Sequence, residues 1–101
     1  MALVTRISSD GKLVTVDISG RFDFSMHQEF RQVYEQDPGG ITQYIINLHQ
    51  TEYMDSSALG MLLLLREHAG GDRANIKIVH CQPEVKKILT IANFQHLFRL
   101  D

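Results

Sequence analysis

The sequence predicts an α/β fold, a mixed sheet of four to five strands in β-β-α-β-α-β-α-β order with helices packed on it. Three observations predict it. Two β-like runs flank Asp10-Gly11 near the start. Apolar residues then recur alternately at strand spacing and at helix spacing. Glycine and proline separate most of these segments. At 101 residues the chain has the length of one domain, taken as 1–101.

The elements follow in order. Leu3–Ile7 and Leu13–Ile18 read as a hairpin, because Asp-Gly tolerates the positive φ of a two-residue turn. In the second run Val14, Val16 and Ile18 alternate with Thr15 and Asp17, and Gly20 is expected to end the strand. Ser25 followed by Gln28 reads as a capping box before Met26, Phe30, Val33 and Tyr34, and "DPGG" at 37–40 as the helix stop. "YIINL" (44–48) is almost continuously apolar and reads as a central strand covered on both faces.

A second helix should run from Asp55 or Ser56 to His68, rich in strong helix formers and stopped by Gly70-Gly71. Its apolar composition predicts a buried helix. Ile76, Ile78 and Val79 form the next strand. Pro83 suits a first helical position, and Val85, Ile88, Leu89 and Ala92 make a stripe behind it. Phe98 and Leu100 suggest a short last strand.

Composition narrows the function. Apolar residues make up 44% and charged residues 22%, with a formal net charge of −2 and dispersed Lys and Arg, which argues against nucleic acid. Cys81 is the one cysteine, so neither an intrachain disulfide nor a cysteine-rich metal site can form. "MALVTRISSD" lacks signal-peptide anatomy, and the longest apolar stretch, 58–65, falls short of a membrane span. The expectation is a cytoplasmic protein with no membrane association.

Parallel strands point their carboxyl ends to one rim, where open α/β sheets bind ligands. That rim should gather Gly20–Ser25, His49–Ser57 and His80–Pro83. Asp23 and Asp55 should be neighbours although 32 residues separate them. With Asp55 as N-cap, Ser56 and Ser57 fall at the first two helical positions, where unpaired N–H groups and the helix dipole favour an anion. Asp and Ser are also common helix starters, so these residues alone fit a plain cap as well. Ser56 has no nucleophile elbow, the five histidines have no ligand spacing, and no phosphate-binding glycine loop with Lys-Ser/Thr occurs.

"GRFD" (20–23) before a helix, "YMDSSALG" (53–60) opening the next and "QPEVKKIL" (82–89) resemble the STAS domain of bacterial anti-sigma factor antagonists, along essentially the whole chain. The resemblance implies a non-catalytic switch without a cofactor. Ser56 matches the phosphoacceptor. Asp23, Asp55 and Ser57 would support the phosphosite, and Arg21, Phe22, Phe24, Tyr53, Met54, Ala58 and Gly60 would meet partners. Ala58 stands where the family often has glycine, a departure expected to affect how closely a partner approaches.

The partners implied are an anti-sigma factor or anti-sigma kinase, a PP2C-type phosphatase and a response regulator, engaged by a monomer. The closest resemblance is to stand-alone antagonists whose pathways include control of a flagellar anti-sigma factor, motility or biofilm formation. The alternatives are a STAS scaffold or transporter-associated subunit that is never phosphorylated, and a small serine hydrolase.

Overall fold

The computed structural model describes residues 3–35, 37 and 39–101. In chain order the elements are β1 (Leu3–Ile7), β2 (Leu13–Phe22), a 3-10 turn (Phe24–Met26) running into α1 (His27–Glu35), β3 (Gln43–Met54), α2 (Ser56–His68), β4 (Ile76–Val79), α3 (Pro83–Ile91) and β5 (Arg99–Leu100). The strands lie side by side in sequence order as a five-stranded sheet. β1 pairs antiparallel with β2, and every later neighbour is parallel. This is the mixed sheet and element order that the sequence predicts.

The core lies on one side of the sheet. Val14, Val16 and Ile18 of β2, Tyr44, Ile46 and Leu48 of β3, and Ile76 and Ile78 of β4 are all buried. They join Phe30 of α1, Met61, Leu62 and Leu65 of α2, and Val85 and Leu89 of α3 in one cluster. Successive strand residues point to opposite faces, so this parity places all three helices on the same face.

The other face carries half-buried residues, among them Thr15, Asp17, Ile45, Asn47, Lys77 and Val79. Polar pairing organises it: Arg6 Nε lies 2.8 Å from Asp17 Oδ2, and Asn47 Nδ2 donates to Asp17 Oδ1 at 2.8 Å. The expectation that "YIINL" is covered on both faces is therefore corrected. Ile45 and Asn47 face the open side, and the run looks continuous only because Ile45 is apolar on a polar face.

Four boundaries also differ from expectation. The hairpin loop is longer than two residues, with Ile7 opposite Val14 and Ser8 N–H donating to Leu13 C=O at 2.9 Å; Gly11 takes φ +73° inside it. Gly20, at φ +77°, does not end β2, which continues to Phe22. β3 runs past Leu48 to Met54, so His49–Met54 is strand rather than loop. The cap at the start of the first helical segment is Asp23, whose side chain accepts from Ser25 N–H, not Ser25 itself. α1 extends to Glu35; of the expected "DPGG" stop, Pro38 lies outside the described residues.

α2 is buried along one face only. Ala58, Met61, Leu62 and Leu65 are in the core, whereas Leu63 and Leu64 are 39% and 54% exposed. That corrects the expectation of a wholly buried helix. No helix among the described residues is long and apolar enough to cross a membrane. The orientation of α2 has a direct test. Leu62→Ala is expected to lower the free energy of unfolding by about 2–5 kcal/mol, and Leu64→Ala by less than about 1 kcal/mol, as measured by urea denaturation.

Candidate functional site

The parallel pairing of β2 with β3 builds the site. Up to Asp17 and Asn47 the register is regular. It then slips twice, between Asp17 and Ser19 and between Gly20 and Arg21, with β3 carrying one more residue each time. Such bulges bend and twist a strand locally. Buried Thr51 lies between the two slips, and its Oγ1 donates to Ile18 C=O at 2.7 Å. Pairing then resumes, with Arg21 opposite Tyr53 and Phe22 opposite Met54. The strands therefore end together, and the next residues, Asp23 and Asp55, begin the two helical segments that follow.

Each aspartate does the same local work. Asp23 Oδ1 accepts from Ser25 N–H at 3.0 Å and from Ser25 Oγ at 2.6 Å. Asp55 Oδ1 accepts from Ala58 N–H at 3.1 Å and from Ser57 Oγ at 2.6 Å. Both residues have extended backbones, as N-caps do. The Ser25 hydroxyl, then the Ser25 N–H and Arg21, hold the Asp23 carboxyl below the usual value. The Ser57 hydroxyl does the same for Asp55, assisted by Ala58 N–H, while the charge of Asp23 works against it. The pairing of Phe22 with Met54 places the two aspartates at adjacent strand ends, as the topology predicts.

The two serines are used differently. Ser57 is half-buried and spends its hydroxyl on Asp55. Ser56 is exposed, and among the described residues its hydroxyl has no hydrogen-bond partner. It stands at the first position of a 13-residue helix, at the positive end of its dipole, where Asp55 already caps Ala58 N–H.

Of the residues expected to meet partners, Arg21, Phe24, Tyr53 and Gly60 are exposed. Phe22, Met54 and Ala58 are not. They are 0%, 2% and 0% exposed, so they belong to the core beneath the site and cannot touch an incoming protein. The methyl group of Ala58 therefore does not affect a partner's approach. Phe22 continues the even parity of Val14, Val16 and Ile18 along β2, and the two extra residues in β3 leave Met54 on the same core side.

Leu63 and Leu64 are further exposed apolar residues of α2. Phe24 stacks on His27 with ring centres 5.0 Å apart. The helical spacing of residues 60, 63 and 64 was a usable signal, since it continues the line of Ser56 along one face. His49 and His80 do lie together, with ring centres 6.3 Å apart. Burial pushes the half-buried Cys81 thiol up. Among the described residues no group of three or more His, Cys, Asp or Glu side chains could hold a metal ion.

Gly60 has no internal reason to be glycine. A Cβ there would meet nothing within 4 Å, and its φ is not positive. An exposed helical glycine is less stable than alanine, so the bare backbone leaves space at the surface rather than inside.

With this geometry the chain belongs to the STAS-domain family: the family described as Mlab, STAS domain, matches residues 5–99. It is 51% identical over 101 residues, the whole of both chains, to a STAS-domain containing protein of Pseudomonas aeruginosa (strain UCBPP-PA14). Among solved structures it resembles the anti-sigma factor antagonist SpoIIAA in its unphosphorylated form, with a TM-score of 0.81 at 18% identity, covering 99% of this chain and 88% of that one. The phosphorylated form of SpoIIAA, the Bacillus cell fate determinant, gives 0.70 at 16% identity, over 99% and 91%. A sulfate transporter family protein from Wolinella succinogenes gives 0.73 at 13% identity, over 93% and 84%. At these identities the structural likeness is one of fold.

Two outcomes test the local geometry. Gly60→Ala is expected to raise the free energy of unfolding by roughly 0.5–1 kcal/mol, as read from urea denaturation. Ser57→Ala is expected to raise the pKa of the Asp55 carboxyl, as followed by carbon NMR. Because folding depresses that pKa, Asp55 contributes stability above its ordinary value of 3.8 and loses it as pH falls through the folded value. Unfolding free energy should therefore decline below about pH 4, and less steeply in Asp55→Asn.

Proposed function

We infer that this chain is an anti-sigma factor antagonist whose switch is Ser56. Unphosphorylated, it sequesters an anti-sigma factor; a partner kinase phosphorylates Ser56, and a PP2C-type phosphatase restores the free form. The observation that carries this reading is the division of labour between adjacent serines. Ser57 is committed to the cap, and Ser56 is presented to solvent beside Asp23 and Asp55. Family membership and the likeness to SpoIIAA, solved in both phosphorylation states, support it.

The chemistry runs as follows. With ATP and magnesium held by the kinase, the Ser56 hydroxyl oxygen attacks the γ-phosphorus, the bond to ADP breaks, and the hydroxyl proton passes to a base of the kinase. Asp23 and Asp55 mark the acceptor through their fixed orientation at the rim. The product carries about −1.5 to −2 charges at pH 7. The positive end of the α2 dipole favours that charge locally, while the two aspartates repel it. The fold has no reason to rearrange. What changes is the docking surface, because a partner must now desolvate a dianion or leave.

Arg21, Phe24, Tyr53 and Gly60 form the partner-facing surface around Ser56, on a monomer of one domain acting in the cytoplasm. Catalysis belongs to the partners. A second reading, a STAS scaffold or transporter-associated subunit without phosphorylation, is favoured by the occurrence of the same fold in a sulfate transporter family protein.

A pull-down with the cognate anti-sigma factor separates the two. Ser56→Ala is expected to retain binding, and Ser56→Asp to weaken it by at least about tenfold, or about 1.4 kcal/mol. Equal binding by both variants, with no phosphate on Ser56 after incubation with cognate kinase and ATP, would establish the scaffold instead.

A further inference from the structure

Arg21 brings a cation to this acidic rim. It lies at the end of β2, directly across from Tyr53. Its guanidinium carbon is 4.3 Å from the centre of the Tyr53 ring, and its Nε is 3.6 Å from Asp23 Oδ2. The ring contact is a well-formed cation–π pair, whereas the ion pair is loose. The separation from Asp23 exceeds that of a strong charge-assisted hydrogen bond. The arginine side chain is 67% exposed, so water screens the pair. The other oxygen of Asp23 is already committed to Ser25. A guanidinium carries five N–H donors, and these contacts leave most of them to solvent.

We propose that Arg21 is the residue through which this chain senses its own phosphate: when Ser56 is phosphorylated, the guanidinium leaves Asp23 and the face of Tyr53 for the phosphate oxygens, and the uncovered tyrosine becomes part of the altered surface. The proposal rests on the reading of Ser56 given above and deepens it by naming the group that responds.

Reach and chemistry both support it. Tyr53, on which Arg21 rests, is three residues from Ser56, at most about 11 Å along an extended chain. Phe22 pairs with Met54, so Asp23, the other contact of Arg21, and Asp55 follow paired residues at the ends of neighbouring strands, and Ser56 comes next in the chain. A phosphoserine offers three acceptor oxygens and up to two charges. Arginine matches phosphate with a planar fork of two parallel hydrogen bonds, which it does not make to Asp23 at 3.6 Å. Lysine would keep the charge and lose both the fork and the stacking.

The test installs phosphoserine at position 56 by genetic-code expansion, so no kinase is needed. Phosphorus NMR then follows the second ionisation of the phosphate in the otherwise wild-type chain, in Arg21→Gln and in Arg21→Lys. Arg21→Gln is expected to raise that pKa by roughly half a unit or more, with Arg21→Lys between the two. Proton NMR should show the Tyr53 ring signals moving on phosphorylation when Arg21 is present and staying in place in Arg21→Gln. An unchanged phosphate pKa in Arg21→Gln overturns the proposal. Because the phosphate is placed synthetically, the failure of a cognate kinase to label Ser56 would be a separate result, counting against the functional reading.

Discussion

The site depends on β2 and β3 remaining paired to their very ends. Parallel neighbours joined by a crossover need not finish together, and here they do so by way of two register slips. Thr51 is the buried polar residue at that point, and its hydroxyl reaches back across the strands to Ile18 C=O. Gly20 supplies the left-handed backbone beside the second slip. Without this double adjustment Arg21 would not face Tyr53, and Asp23 would not approach Asp55. The chemistry at the rim is thus a product of strand registration more than of any single functional side chain.

The two aspartates illustrate how a cap and a functional site become one structure. Each must stay ionised to hold its serine and its backbone N–H, and the hydrogen bonds that fix it also favour the charged form. The same charges make the rim acidic before anything binds. An anion placed at Ser56, as proposed, would meet the positive end of the α2 dipole, which favours it, and two carboxylates, which oppose it. Firmness comes from below, where Phe22, Met54 and Ala58 sit in the core directly under the exposed residues.

Much of this was legible in the sequence. Alternation in β2, helical spacing in α1 and α3, Pro83 and the Asp55 cap gave the element order. Topology then brought together two aspartates distant in sequence. The failures have physical causes. β3 was cut short because "HQTE" looks like a loop, yet a strand on an open sheet face tolerates polar residues. Gly20 looked like a terminator because positive φ usually marks a turn, and here it accommodates an irregularity inside a strand. Phe22, Met54 and Ala58 were placed at the surface because they lie within the family motif. Burial depends on strand parity and helix phase, and plain alternation along β2 already places Phe22 with Val14, Val16 and Ile18 in the core. Leu63 and Leu64 were hidden by the apolar richness of α2, where composition suggested burial on every side.

The aromatic residues have an optical consequence. The chain contains no tryptophan and three tyrosines. Tyr34 and Tyr44 are buried, and Tyr44 donates its hydroxyl to Asp37 at 2.9 Å. Tyr53 alone is open to solvent, beneath the guanidinium of Arg21. A small neutral quencher such as acrylamide would reach that ring and be kept from the other two, so the accessible part of the ultraviolet emission belongs to one residue at the rim. The molecule carries an intrinsic, label-free fluorophore at the rim that holds Ser56, Asp23 and Arg21.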